Sequence, residues 1–446
     1  MLKLFLWLRY LRKKKIVFLS IAAVALSSAL LIIVSSLFTG FINAFEQSAV
    51  EAVGDVVLVP PVRFAEYPLL IERLEQTGAV EAATAMLSGQ GLLHLGGGNV
   101  RAVNVWGIEP ARRVRVTGFK QFLLKQKKSA QKPSFEVPGF ADRVGGCVGI
   151  GVVAKPNEKT DEYDFDSAET IIGKQVILTT GAVMETEAGG EKKFKRKTLK
   201  FTVLDIVFTG VYEFDKKFIY LPIEQLQEVL YPNEDGLIAS QIQIKLADGV
   251  RASDGLAQIR DVWQRFAAKR LGWGPYLIKQ TTITTAKQLQ SQYVAEFRKQ
   301  MGILLLIFGV ISCSVVLLVF CIFYMIVETR QRDIAIIKSC GGASSSVASV
   351  FVGFGACIGI IGSGFGAILG CIVTKNINTI EECVRIIFLL KLWKSSVYMF
   401  SKIPSQIDWA SALSIVLLAV IAAISGALIP AIIAVRTKPV DILRYE

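Results

Sequence analysis

"GILLLIFGVISCSVVLLVFCIFYMIV", residues 302–327, runs for 26 positions without one charged side chain. About 20 apolar residues are enough for a helix to cross the hydrocarbon core of a bilayer, so this stretch reads as a membrane span. Working outward, Ile16–Phe38, Val347–Val373 and Ala410–Val435 are charge-free runs of the same kind. More than 250 residues of ordinary aqueous composition separate the first two runs. The 52% hydrophobic content of this 446-residue chain is therefore concentrated rather than spread. The fold class that follows is a membrane protein: four transmembrane α-helices with a large extracytoplasmic α+β domain between the first and second.

The first span follows "MLKLFLWLRYLRKKK", which holds six Lys/Arg and no acid. A secretory signal has the same order of charge and oil, but its apolar core is about 7–15 residues long. Here 23 follow, which favours an uncleaved anchor. Positive charge beside a first span holds that end in the cytoplasm, so the large domain lies outside and both termini inside. The expected order is a cytoplasmic amphipathic N-terminus (1–15), a first transmembrane helix (16–44) and the extracytoplasmic domain (45–283). A stalk helix continuous with the second span (284–327) and a cytoplasmic segment (328–346) come next. The third span (347–373), an extracytoplasmic loop (374–409), the fourth span (410–435) and a cytoplasmic tail (436–446) complete it. The loop carries Lys375, Arg385, Lys391, Lys394 and Lys402, against the charge rule, yet two crossings from the cytoplasmic segment still place it outside.

Of seven cysteines, Cys313, Cys321, Cys357 and Cys371 fall within spans and Cys340 within the cytoplasmic segment. Cys147 and Cys383 belong to different regions, so no disulfide framework is read, and most serve as small hydrophobes. The net charge of +13 flanks membranes or sits in scattered loops, which fits anionic lipid headgroups rather than nucleic acid.

In the outer domain, "DVVLVPPV" reads as a strand and Tyr67–Thr77 has helical spacing. "GLLHLGGGNVRAVNVWGI" reads as strand, glycine turn, strand, and holds His94, the only histidine, to which no chemistry is assigned. The acidic run "DEYDFDSAE", 161–169, lacks calcium-loop spacing and reads as an exposed loop. The stretch from Lys174 to Tyr212 and "KFIYLP" alternate as strands. Pro222 opens a helix, and Ser253–Leu271 is an amphipathic helix with Leu256, Ile259, Val262, Trp263 and Phe266 on one side. From Thr284 to Met301 no proline or glycine interrupts the chain, so a polar helix is expected to run unbroken into the second span.

The third span carries Gly355, Gly359, Gly362, Gly366 and Gly370. Their G-x-x-x-G spacings let helix backbones approach closely in lipid. Pro430 is expected to kink the fourth span. The sequence has no nucleotide-binding P-loop, no nucleophile elbow, no H-E-x-x-H or C-x-x-C pair, and no charge within a span. No catalytic residue, metal or cofactor is assigned to this chain, and any energy it uses must come from elsewhere.

One charged segment remains: "ETRQRDIAIIKSCGGASSSV", 328–347. Glu328, Arg330, Arg332 and Asp333 leave the membrane, then Ile334, Ile336 and Ile337 precede Lys338. Gly341 and Gly342 break the helix, and Ser344–Ser346 offer capping oxygens for the next. Such an elbow either fits a groove on a partner or packs back on the membrane surface.

This segment resembles the cytoplasmic coupling segment of the mechanotransmission class of ABC transporters, which includes lipoprotein-releasing permeases (LolC/LolE type), FtsX-like proteins and MacB-like exporters. "WLRYLRKKK", "VWGIEP", "TGVYEFDKKFIYLPIEQLQEVL", "KIPSQIDW" and "PAIIAVRTKPVDILRYE" resemble, in order, further stretches of the lipoprotein-releasing permeases, so the likeness covers essentially the whole chain. It implies a multi-pass protein of the bacterial inner membrane with its large domain in the periplasm. The implied partners are an ABC ATPase subunit (LolD type) binding ATP and Mg, a second permease copy or a paralogue, an acylated lipoprotein substrate, and a soluble periplasmic carrier (LolA type). The ATPase would push on Arg330, Arg332, Asp333, Ile334, Ile337, Lys338, Gly341 and Gly342. A substrate cavity is expected at Leu31, Phe38, Phe41 and Phe45 with Leu304, Phe308 and Ile311, for which ordinary lipid-facing packing is the alternative. The family's carrier-binding hairpin falls by position on Glu185, Glu187, Gly189, Gly190, Lys192 and Lys193. The sequence departs there from the family's proline-bearing loop, and a hairpin closed by cross-strand charge pairs is the other reading. An FtsX-like signal relay to an outer enzyme, or a MacB-like efflux permease, are the rival functions.

Overall fold

The structure, a computed structural model, describes residues 15–436 apart from 141, 158–162, 186–191, 235, 330–334, 337, 340–342, 389–392, 395–399 and 401. It divides into two compact units. One comprises Met1–Asn43, Val294–Ile380 and Ile403–Glu446; the other comprises Ala44–Tyr293 and Glu381–Lys402.

The first unit contains the spans. The four helices Lys15–Val53, Ser291–Thr329, Ser344–Lys375 and Trp409–Arg436 are each long and apolar enough to cross a membrane. The third is the hub of the packing. A Cβ on Gly355 would stand 2.6 Å from Ala427 Cβ, and one on Gly359 would stand 2.9 Å from Val420 Cα, so these two face the fourth helix. One turn on, the glycine face rotates to the first helix. There a Cβ would stand 2.9 Å from Val24 at Gly362, 2.5 Å from the Ala25 carbonyl at Gly366 and 3.1 Å from Ile32 at Gly370. Small residues allow backbone-to-backbone approach where lipid supplies no hydrophobic driving force. Around them Val17, Val24, Val319, Phe323, Phe354 and Ile358 form the buried cluster of this unit.

Three boundaries differ from the sequence-based expectation. The first helix runs on to Val53, so its final turns belong to the α/β unit. The helix expected from Thr284 begins at Ser291. Thr285 ends a strand and caps the short helix Ala286–Leu289 through a capping box with Gln288, after which Gln290 interrupts the helical run. A side-chain oxygen at the N-cap competes successfully with helix continuation. The third helix starts behind Ala343 with no side-chain cap, so the serines at 344–346 lie in its first turn rather than capping it. Within the 374–409 segment, an amphipathic helix, Ile377–Phe388, follows the third span after one residue.

The second unit is a mixed sheet with helices on it. Its strands are β1 (Val56–Val59), β2 (Phe64–Ala65), β3 (Val80–His94), β4 (Val100–Ile108), β5 (Gly145–Gly149), β6 (Gln175–Glu185), β7 (Lys192–Val207), β8 (Phe218–Pro222), β9 (Ile238–Ala239), β10 (Gln241–Leu246) and β11 (Thr282–Thr285). The main sheet runs β11-β1-β10-β3-β4-β8-β5-β7-β6, with β4–β8 and β5–β7 parallel and the other pairings antiparallel. β6 also pairs with the far end of β3, Gly91↔Thr180 to His94↔Ile177, so six strands close into a ring and lose their edges. Gly91 permits the closure, since a Cβ there would stand 2.6 Å from the Thr179 carbonyl oxygen. His94 joins the seam through a 3.1 Å hydrogen bond between Nε2 and Thr179 Oγ1. The triple glycine is the β3–β4 turn, with Gly96, Gly97 and Gly98 all at positive φ.

The core lies between the sheet and the helices Tyr67–Glu75 and Ala252–Lys269, which bury Leu70, Ile71, Leu74, Ile259, Trp263 and Phe266. Pro222 is the last residue of β8 and the N-cap of Ile223–Leu230, one position earlier than a first-turn proline. The acidic stretch is partly helical rather than loop: Asp164 accepts from Ser167 N at 3.1 Å and caps Phe165–Glu169.

Candidate functional site

Within the membrane unit the first, second and fourth helices line a cavity of about 730 Å³ that is open on one side. The second helix contributes Met301, Leu305, Gly309, Ser312 and Val316, which recur every three or four residues and so share one face. Val24, Leu31 and Ser35 come from the first helix, and Ser411, Ile415, Leu418 and Ala422 from the fourth. Small residues leave the space, and branched ones make its wall apolar.

Five of the six serines that line it already have hydrogen-bond partners. Ser27 and Ser312 hydrogen-bond each other at 2.8 Å. Ser28 donates to the Val24 carbonyl at 2.8 Å, Ser414 to Ala410 at 2.9 Å and Ser411 to Asp408 Oδ2 at 2.6 Å. A buried hydroxyl that is satisfied within its own helix asks nothing of an occupant. The chamber therefore suits a guest that brings methylene groups.

Among the seven expected cavity residues, Leu31 lines it. Leu304, Phe308 and Ile311 sit one position off the lining face of the second helix, and Ile311 is 45% exposed. Phe41 packs edge-on against Phe297 at 4.8 Å, while Phe45 is buried beside Tyr293 in the α/β unit. Phe38 is half-buried and does not line the cavity. Sequence reasoning sought the largest apolar groups, whereas a cavity forms where side chains are small. The fourth helix and the serines were missed; the serines Ser28 and Ser35, seven apart on one helix face, were the available signal.

Residues 302–439 match the FtsX-like permease C-terminal family model. The whole chain aligns with the lipoprotein-releasing system transmembrane protein LolC of Neisseria meningitidis serogroup B, 27% identical over 100% of this chain and 99% of that one. Over its length the chain is similar to the lipoprotein-releasing transmembrane proteins LolC and LolE, and its C-terminal part to the FtsX-like permeases. The LolC of Xylella fastidiosa is 31% identical, over 62% of this permease and 61% of its relative's length. The periplasmic region of MacB from Actinobacillus actinomycetemcomitans is similar at 13% identity with a TM-score of 0.34, covering 55% of this permease and 95% of that structure.

Of the expected coupling residues, Arg330, Arg332, Asp333, Ile334, Ile337, Gly341 and Gly342 lie outside the described residues. Lys338 is described: its Nζ donates to the Val435 carbonyl at 2.7 Å, placing a cation at the C-terminal end of the fourth helix. Beside it Val327, Val347 and Ala434 pack together, so the second, third and fourth helices meet at the root of the segment. For the hairpin, β6 and β7 pair as far as Glu185↔Lys192, with Met184 opposite Lys193. Glu187, Gly189 and Gly190 lie outside the described residues.

Proposed function

We propose that this permease extracts acylated lipoproteins from the bacterial inner membrane, using ATP and Mg held by a separate LolD-type ATPase, and passes them to a LolA-type soluble carrier. A second permease copy or a paralogue completes the transporter, with the α/β unit in the periplasm and residues 328–346 gripped by the ATPase. The cavity of about 730 Å³ carries the reading. Its size falls in the roughly 300–1,000 Å³ range of ligand pockets, and its wall is mainly apolar, with five of its six serines already hydrogen-bonded. Removing an acyl chain from lipid costs about 0.8 kcal/mol per CH₂. A chamber that replaces lipid contacts lowers this cost, and ATP supplies the remainder. The same cavity favours export over a signal relay, for which a closed helix pair would serve better.

The test is reconstitution with the partner ATPase in vesicles carrying a triacylated lipoprotein. ATP-dependent transfer of the lipoprotein to the carrier is expected, and Ile334→Asp with Ile337→Asp should release the ATPase without preventing membrane insertion. Wild-type vesicles that hydrolyse ATP but release no lipoprotein would overturn the reading.

A further inference from the structure

The helix Lys15–Val53 has no basic residue in its last turn, so its terminal carbonyls, the negative end of the helix dipole, need outside partners. Within the α/β unit Arg113, on the helix Pro110–Val116, supplies one. Its Nη2 donates to the Ala52 carbonyl at 2.9 Å and its Nη1 to Gln243 Oε1 on β10 at 2.9 Å. The guanidinium is 2% exposed and lies 5.1 Å from the ring centroid of Trp106, 5.7 Å from Phe119 and 5.9 Å from Tyr220. Among the described residues it forms no ion pair, and burial lowers its pKa to about 10, which leaves it cationic at neutral pH.

A buried charge without a carboxylate is costly unless fixed dipoles and aromatic faces replace water. Here the helix end, the Gln243 amide and the rings stand in for water at the two Nη groups and the guanidinium faces, and this one side chain joins helix to sheet. Two backbone bonds flank it: Gly118 N donates to the Glu51 carbonyl at 3.0 Å, and Asp55 N to the Ile244 carbonyl at 2.9 Å. Asp55 continues the connection, accepting at Oδ2 from Leu246 N and at its carbonyl from Ala286 N, both at 2.9 Å.

We propose that Arg113 is the positioning residue of transport: it clamps the end of the first membrane helix onto β10, so that displacement of that helix moves the sheet instead of fraying the helix end. This rests on the ATP-driven release proposed above. It assigns to a residue outside cavity and coupling segment the delivery of motion to the outer domain.

The geometry offers a covalent substitute for the clamp. A Cβ on Gly118 would stand 3.7 Å from Glu51 Cβ, within the Cβ separations of about 3.5–4.5 Å that disulfides span. In the full complex, Arg113→Met should keep ATP hydrolysis but lower lipoprotein released per ATP by about tenfold, the scale of one lost charge-assisted hydrogen bond. Adding Glu51→Cys and Gly118→Cys should restore release when oxidised and lose it again on reduction. Arg113→Lys, which keeps the charge but not the two-acceptor fork, should fall between. Hydrogen exchange at residues 46–53 provides a readout independent of transport, and Arg113→Met should accelerate it. Unchanged exchange, wild-type release per ATP in Arg113→Met, or no rescue by the oxidised pair would each overturn the clamp. Should wild-type vesicles release nothing, the functional reading fails, while the exchange measurement still decides the clamp.

Discussion

In the α/β unit the largest side chains are the most deeply buried, with Trp263, Tyr67, Phe201 and Phe266 all below 2% exposure. In the membrane unit the closest contacts are made by residues with almost no side chain, Gly355, Gly359, Gly362, Gly366 and Gly370. The difference follows from the solvent. Water rewards burial of large apolar surface, whereas lipid is as apolar as leucine, so helices associate by backbone proximity and dispersion. Buried polar groups follow the same division. In the spans, Ser28 turns to its own helix at the Val24 carbonyl, and Ser27 pairs with Ser312 of the second helix. The α/β unit instead buries charge in networks: Asp205 accepts from the backbone amides of Lys125, Gln126 and Ile206, and Asp215 accepts from Thr209 and Gly210.

The largest effect is expected at Gly366, where a Cβ would stand 2.5 Å from the Ala25 carbonyl oxygen. Gly366→Leu should prevent close approach of the first and third helices and cost about 3 kcal/mol, the upper range of overpacking penalties. Gly364, around which a Cβ meets nothing within 4 Å, is the matched control. Membrane accumulation and thermal denaturation in detergent measure both, and an unaffected Gly366→Leu would remove the backbone-proximity account.

Asp215 sharpens the other side. Burial pushes its carboxyl up to about 7, outweighing the hydrogen bonds from Thr209 and Gly210 that lower it. The folded state therefore binds a proton that the unfolded state has released between about pH 4 and 7. Stability contributed by this group falls as pH rises through that window, by up to roughly 1.4 kcal/mol per pH unit, and is level above it. Asp215→Asn should flatten this dependence in urea titrations of the full chain; an unaltered pH slope would show that Asp215 does not set it.

The smallest stability effect belongs to the second helix, the least covered span, with 6% of its apolar window buried against 33% for the third. Gly309 lines the cavity and a Cβ there meets nothing within 4 Å. Gly309→Leu should change stability by less than about 0.5 kcal/mol while reducing lipoprotein release. A large loss of stability would mean that the chamber is a packed interface.

Four spans, the domain between the first two and the glycine face of the third were legible in the chain, because length and charge-free composition respond to the bilayer locally, residue by residue. The amphipathic helix carrying Ile259, Trp263 and Phe266 was legible for the same reason: a period of 3.6 residues is written into the order of side chains. Which glycine meets which helix, the closure of β6 onto β3, the cavity between first, second and fourth helices and the burial of Arg113 against Ala52 were decided only by tertiary structure. Each joins residues distant in the chain, and nothing in local propensity encodes a space left empty or a charge accepted by a remote carbonyl.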